Sequence, residues 1–388
     1  MSKSVLVIML CILLFCSCNS KQSDTNTNGI PAVKITWDKF SMGVDLSFVN
    51  EIQDYGGVYR DSGKVKDPYL ILKDHGANTV RIRLWCNPQW IAALTGGKLY
   101  SDLADAERSI RRAKTLGMAV NLDIHYSDTW ADPANQKTPA AWDTTNLAVL
   151  KDSVYQYTLR VLNYLKSKNL TPEMVQVGNE TNSGMLYPLG KVQNNNWQAF
   201  GILVNSGIKA IRDFSASSDI KPEIILHVAQ LQNATYWVNN IMINGKVTDF
   251  DVLGISHYSK WSTVNTMTQV TSIIKNIRVT YEKQVMIVET AYPWTGGNAD
   301  SYPNIISITD TVAGYPATRD GQYRYLKDLT QAIITAGGKG IMYWEPAWIT
   351  SSMPDKWGKG SAWDNCTLFD FTGNSLSSAD YLSFSYKF

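Results

Sequence analysis

Met174-Val175-Gln176-Val177-Gly178-Asn179-Glu180 is a short apolar run that stops on a glycine and two polar residues. A run of this kind reads as a strand buried on both faces, with its polar groups gathered at the C-terminal end. The same pattern recurs on either side of it, at 41–45, 79–85, 119–124, 223–228, 252–257, 285–289 and 340–344. Between these runs lie amphipathic helical patterns, clearest at 104–115, 149–168, 197–214, 267–281 and 322–336. Parallel strands need crossovers, and eight of them can close on themselves without leaving an edge, so the expected fold is α/β, a single (β/α)8 TIM barrel. The competing architecture is a doubly wound open sheet. No Gly-x-Gly-x-x-Gly follows any strand and no Walker-type loop occurs, which leaves nucleotide binding without a fingerprint.

Composition agrees with one large core. Of 388 residues, 44% are apolar and 18% charged, which excludes a disordered chain. The 36 basic and 34 acidic side chains nearly cancel and no long Lys/Arg run appears, so nucleic acid is not an expected partner. Aromatic usage is unusual: 20 Tyr and 13 Trp stand against 10 Phe. Rings that pair an apolar face with a polar edge suit a ligand built the same way, such as a sugar; a large core with wet edges would use them equally well.

In such barrels, chemistry sits where the strands end. Those ends carry Asp45, Arg81, Arg83, Trp85, Asp123, His125, Asn179-Glu180, His227, His257-Tyr258, Glu289 and Trp344-Glu345. Glu180 and Glu289 each close a strongly apolar run, nominally the fourth and seventh, which face one another across a barrel mouth. Two carboxyl groups flanking a bond are what glycosidic cleavage requires: one protonates the leaving oxygen, the other attacks the anomeric carbon or activates water. For either Glu alone a salt bridge or helix cap is an equal explanation. A serine hydrolase lacks its Gly-x-Ser-x-Gly elbow here. The four histidines show no metal-ligand spacing, so no metal ligand and no required cofactor are assigned. The oxygen-rich loops Asn298-Ala299-Asp300-Ser301 and Asp364-Asn365 are candidates for a structural calcium, without EF-hand spacing.

The N-terminus reads as an address. Lys3 precedes the apolar run 5–15, followed by Cys16-Ser17-Cys18-Asn19 and a polar stretch. This is expected to be a lipoprotein-type signal peptide (1–18) with Cys18 as the lipid anchor and Cys16 as the alternative, then a flexible tether (19–35) and the catalytic barrel (36–388). A simple cleaved signal is the competing reading. The expectation is therefore an exported, monomeric cell-envelope lipoprotein, meeting the membrane through its N-terminal lipid only. Cys86 and Cys366 either pair or remain two free thiols.

Several longer segments then carry a family likeness. They are Met42-Gly43-Val44-Asp45-Leu46-Ser47, Asn78 to Trp85 with Asn87-Pro88, Asp123 to Pro133, Val175 to Glu180 with Asn182 to Leu186, Glu289 to Thr295, and Tyr343 to Trp348. From about Ser41 to Ser378 the chain resembles glycoside hydrolase family 53, the endo-β-1,4-galactanases. That resemblance implies a retaining barrel enzyme, with Glu180 as acid/base, Glu289 as nucleophile and Asn179 as partner of the sugar 2-hydroxyl. It also implies pocket roles for Arg83, His125, His257, Tyr258 and Trp344. Asp45, Trp85, Asp128, Trp130 and Trp294 fall at motif positions near the cleft. Galactan and galacto-oligosaccharides are the implied partners, with other retaining barrel glycosidases acting on mannan or glucan, or a catalytically dead glycan-binding barrel, as rivals. The segment Gly296-Gly297-Asn298-Ala299-Asp300 departs from the longer calcium-holding loop of several members.

Overall fold

The computed structural model describes residues Trp37–Phe388. The expected signal peptide (1–18), its Cys18 and the tether (19–35) lie outside the described residues. Eight parallel strands close into a barrel: β1 (Ser41–Asp45), β2 (Thr79–Leu84), β3 (Ala119–Ile124), β4 (Met174–Val177), β5 (Glu223–Ala229), β6 (Val252–Ser256), β7 (Gln284–Thr290) and β8 (Gly340–Tyr343). Each pairs with its sequence neighbours, and β8 returns to β1 in register from Ser41↔Gly340 to Val44↔Tyr343. The open-sheet alternative is thereby ruled out.

The crossovers carry the helices, and the sequence supplies their starts. Asp67, Asp102, Asn146, Thr266 and Thr318 each accept backbone N–H groups that a first helical turn leaves free. Thr266 and Gln269 complete a reciprocal capping box. After β8 come two 3-10 segments, Asp364–Cys366 and then Ser377–Ser383. The second is tied to its surroundings by Asp380 on His75 (2.7 Å) and by Ser378 Oγ donating to Gln322.

Alternation along the strands sorts the interior into layers. At the N-terminal end Ala119, Met174, Ile225, Val252, Met286, Val288 and Met342 form a dry plug, against which Trp37 packs. Burying each of the larger side chains contributes about 1.5–3 kcal/mol. One step toward the C-terminal end, the same faces of β2 to β5 carry Arg81, Asp123, Gln176 and His227, all buried. Polar groups survive there only because each has partners.

Two departures from regular strand geometry set the site. The runs at 79–85 and 174–179 end earlier than the apolar pattern implies, at Leu84 and Val177. Gly178 takes φ +81°, a conformation open to glycine, and turns the chain so that Asn179 and Glu180 stand over the barrel mouth. In β7, period two places Met286 and Val288 in the interior and would send Glu289 outward. A register shift against both neighbours marks a bulge at this point, which brings Glu289 level with Ser256 and turns it to the mouth.

Candidate active site

Arg81 is the centre of the floor. Nη1 donates to Asp45 Oδ2 (2.8 Å), and Nη2 reaches Asp123 Oδ2 (2.8 Å), Asn179 Oδ1 (2.9 Å) and Glu289 Oε1 (2.9 Å). One guanidinium therefore faces three buried carboxylates, a geometry that suits its planar fork of donors. His125 fills a gap beside it. Trp85 Nε1–H and Ala131 N–H both point at its Nδ1, so the ring proton is on Nε2 and donates to Asp123 Oδ2 (2.9 Å). Burial lowers His125 below the usual histidine range, which keeps it neutral.

The two glutamates differ in what surrounds them. Glu289 has a donor on each oxygen: Arg81 on Oε1, and Tyr258 OH on Oε2 (2.8 Å). Burial raises its pKa, while Arg81 and Tyr258 pull it back toward the ionised form. Among the described residues the Glu180 carboxyl accepts one hydrogen bond, from Ser256 Oγ to Oε1 (2.6 Å). Burial, and next the charge of Glu289, push Glu180 up to about 8. The pair is thus unlike: one carboxyl holds a proton near neutral pH, and the other, although raised by burial, has two donors that stabilise its charged form. Glu180 adopts φ +46°, as does Glu345 after β8, while Tyr126 after β3 takes +49°. Such left-handed backbone costs on the order of 1 kcal/mol for a residue other than glycine and clusters at functional sites.

A cleft of ≈ 600 Å³ opens above this floor. Of the residues expected in the site, Arg83, His125, Trp130, Asn179, Glu180, Tyr258, Glu289 and Trp344 line it. The others do not. Asp45 lies beneath Arg81 with its other oxygen on Ser47, and Trp85 is sealed behind Trp130, 5.1 Å between ring centroids. Asp128 caps the Ala140 N–H. His257 is buried with Nδ1 unpartnered among the described residues. Trp294 packs on Phe371 and donates to the Asp364 carbonyl. These five can act on the cleft only through other residues. Arg83 is held in an aromatic slot, its guanidinium carbon 4.2–4.5 Å from the ring centroids of Phe48, Trp85 and Trp130.

The rim comes from loop residues without a motif, Trp261, Tyr302, Asp355 and Trp357; deeper in lie Trp363, also outside the motifs, and Trp348, the last residue of the 343–348 segment. The loops after β7 and β8 are clasped together, since Tyr302 OH donates to Asp355 Oδ2 (2.7 Å) and Gly358 lies flat against the Tyr302 ring. His227, read as a strand-end residue but given no role, and Ser256, not singled out, also belong here; the place of Ser256 at a strand end on the inward face is the signal that finds it.

The calcium loops do meet, but their donors are engaged. Asp300 accepts from Tyr302 N–H, Ser361 N–H and Thr350 Oγ1, and Asp364 from Ala299 N–H, Asn304 Nδ2 and the same Thr350 hydroxyl. Every oxygen of both carboxylates already serves a donor, an arrangement that does not fit a calcium cage. Cys86 and Cys366 are free thiols, so of the two readings the disulfide is set aside.

An eight-stranded barrel with two unlike carboxyls and an aromatic cleft at the C-terminal face defines a barrel glycoside hydrolase. Comparison with known proteins places it within that class. The chain belongs to the family described as Glycosyl hydrolase family 53, whose sequence model matches residues 41–382. It is 42% identical over 348 residues to the arabinogalactan endo-β-1,4-galactanase of Cellvibrio japonicus, covering 89% of this chain and 90% of that one. With the endo-β-1,4-galactanase of Bacillus subtilis it shares 33% over 374 residues, covering 87% of this chain and 84% of the relative. The Ignisphaera aggregans GH53 catalytic domain superposes with a TM-score of 0.82 at 34% identity, covering 92% of this chain and 98% of that chain.

Proposed function

We infer that the protein cleaves within β-1,4-galactan, the side chain of type I arabinogalactan in pectin, by a retaining double displacement. The observation carrying this reading is the unequal surroundings of Glu289 and Glu180, together with relatives named for this activity. Glu289, with Arg81 and Tyr258 donating to its oxygens, attacks the anomeric carbon as the glycosidic bond breaks. Glu180 gives its proton to the departing oxygen. The ester so formed on Glu289 carries no charge, which removes the second-largest influence raising Glu180. Glu180 then takes a proton from water, whose oxygen attacks the anomeric carbon and frees Glu289. Asn179, held by Arg81 and by its own donation to the Ala131 carbonyl (2.8 Å), presents its amide beside the reacting sugar.

The test is digestion of β-1,4-galactan followed by proton NMR. A mixture of internal-cleavage products appearing first as the β-anomer is expected. The α-anomer first, or preferred release from mannan, cellulose or xylan, overturns the reading. The envelope location is proposed on the N-terminal sequence alone: palmitate should label the protein through Cys18, and labelling unchanged in Cys18→Ser would refute that anchor. Sedimentation as a monomer is the expected solution state.

A further inference from the structure

Three hydrogen bonds form a ring that begins and ends on Glu180. Its backbone N–H points at His227 Nδ1 (3.2 Å), His227 Nε2 lies 2.8 Å from Ser256 Oγ, and Ser256 Oγ reaches Glu180 Oε1 at 2.6 Å. Chemistry fixes the direction of each bond. His227 Nδ1 faces two N–H donors, Glu180 N and Gln176 Nε2 (3.0 Å), and one acceptor, Asn179 Oδ1 (3.0 Å), which already receives Arg81 Nη2; a proton on Nδ1 would meet both N–H groups, so Nδ1 accepts and the ring proton is on Nε2. Nε2–H therefore donates to Ser256 Oγ, and the serine proton is directed to Glu180 Oε1. The ring is rigid: His227 and Ser256 are fully buried, and Thr181 N–H donates to the His227 carbonyl (3.0 Å). Among the described residues Glu180 Oε2 has no hydrogen-bond partner.

We propose that Ser256, oriented by His227, is the positioning residue that assigns the acidic proton of Glu180 to Oε2. The proposal rests on the acid/base reading of Glu180. With Oε1 receiving the serine proton, a proton on that oxygen would confront a second one, whereas Oε2 is free to carry it toward the leaving oxygen. The same bond serves the second half-reaction. A donor on Oε1 favours the carboxylate, the form that must deprotonate water. Other groups facing Glu180 are Glu289 on β7, Asp132 after β3, Arg81 on β2, Tyr258 after β6 and the neutral His227 on β5. Glu289 and Asp132 favour the proton, and Arg81 opposes them.

Four variants and two substrates test this. In Ser256→Ala the alkaline limb of kcat/KM on galactan should move up by about one pH unit, since losing the donor disfavours the carboxylate. Activity at the optimum should fall about tenfold, while an aryl galactobioside whose leaving group departs without a proton keeps its glycosylation rate within about twofold. Ser256→Thr retains the hydroxyl and should restore the limb. The limb position is independent of the folded fraction, and should alanine fail to fold, Ser256→Cys, a weaker donor, must show the upward shift. Glu180→Gln separates this proposal from the reading beneath it. Galactan cleavage with an intact alkaline limb in Glu180→Gln overturns the acid/base role. Loss of both there, with wild-type limbs in Ser256→Ala or Ser256→Cys, overturns the positioning role alone.

Discussion

Arg81 on the floor of the cleft is 1% exposed and meets three carboxylates, whereas Trp357 on the rim is 62% exposed, with the Lys356 ammonium 5.3 Å from its ring centroid. The floor stands on strand ends inside the barrel, where charges interact strongly because they are buried and where each side chain is fixed by its neighbours. The rim stands on loops, and its means of holding a ligand is apolar face area beside open solvent. Chemistry that must place a proton and a nucleophile within tenths of an ångström belongs on the first. Gathering a chain of sugars in several registers belongs on the second. If the division holds, a change in one region leaves the other region's part unaltered.

The largest effects belong to the two glutamates. Glu289→Gln and Glu180→Gln should each lower galactan turnover by at least about a thousandfold with the melting temperature nearly unchanged. Azide should rescue Glu289→Ala as the inverted glycosyl azide. Near-normal turnover in either glutamine variant would mean that the floor is scaffold and the chemistry lies elsewhere. Arg81→Met goes further, because it strands Asp45, Asp123 and Glu289 as buried charges without their cation. A stability loss of about 3–5 kcal/mol in denaturant unfolding is expected along with lost activity. Loss of activity alone would show that the floor's charges are better hydrated than their burial implies.

How far the sequence shows these two regions follows from the same contrast. Strand ends are tied to periodicity, so Glu180, Glu289, His125 and Tyr258 could be placed by reading where apolar runs stop. Two features escaped. The bulge in β7 is invisible to alternation, which by itself turns Glu289 outward; the strand-end position carried that residue, not the pattern. An aromatic next to a strand end need not face the cleft: Tyr126 and Tyr292 lie at such ends yet bury their rings, one with its hydroxyl on Thr158 and the other stacked on Tyr325. Trp357 sits far along the loop after β8, and Trp261 lies in the loop after β6 beyond the strand end; no local pattern says that the chain turns to the cleft at either. Asp45, Trp85, Asp128 and Trp294 fall within motifs because they support the site, and sequence proximity does not separate support from contact.

Glu51 sharpens the comparison from below. It lies on the helix Val49–Asp54, 4% exposed, and burial followed by the charge of Asp105 raises its carboxyl to about 8. The native state therefore holds a proton that the unfolded chain releases near 4.5. Stability is unaffected below that value, falls as pH rises from 4.5 toward 8, and stays reduced above it. Glu51→Gln keeps the shape without the titration, and should gain roughly 2–4 kcal/mol over the wild type at pH 9 while matching it at pH 4. Parallel stability curves for the two proteins across that range would show that Glu51 is ionised in the folded state and that the low dielectric of the floor does not extend beneath Arg83.

The smallest effect is the one that isolates the rim. Trp357→Ala removes an exposed ring that no floor residue needs, so folding stability and kcat should hold. Losing one stacking face should raise KM for long galactan by about three- to tenfold, the equivalent of roughly 1 kcal/mol. A short galacto-oligosaccharide that fills only the sugar sites next to Glu180 and Glu289 should be cleaved as before, because it never reaches the ring. An unchanged KM on polymer would remove Trp357 from the binding surface. A fall in kcat comparable to that of Glu180→Gln would be more damaging, because it would couple the rim to proton transfer and dissolve the division between a floor that reacts and a rim that holds.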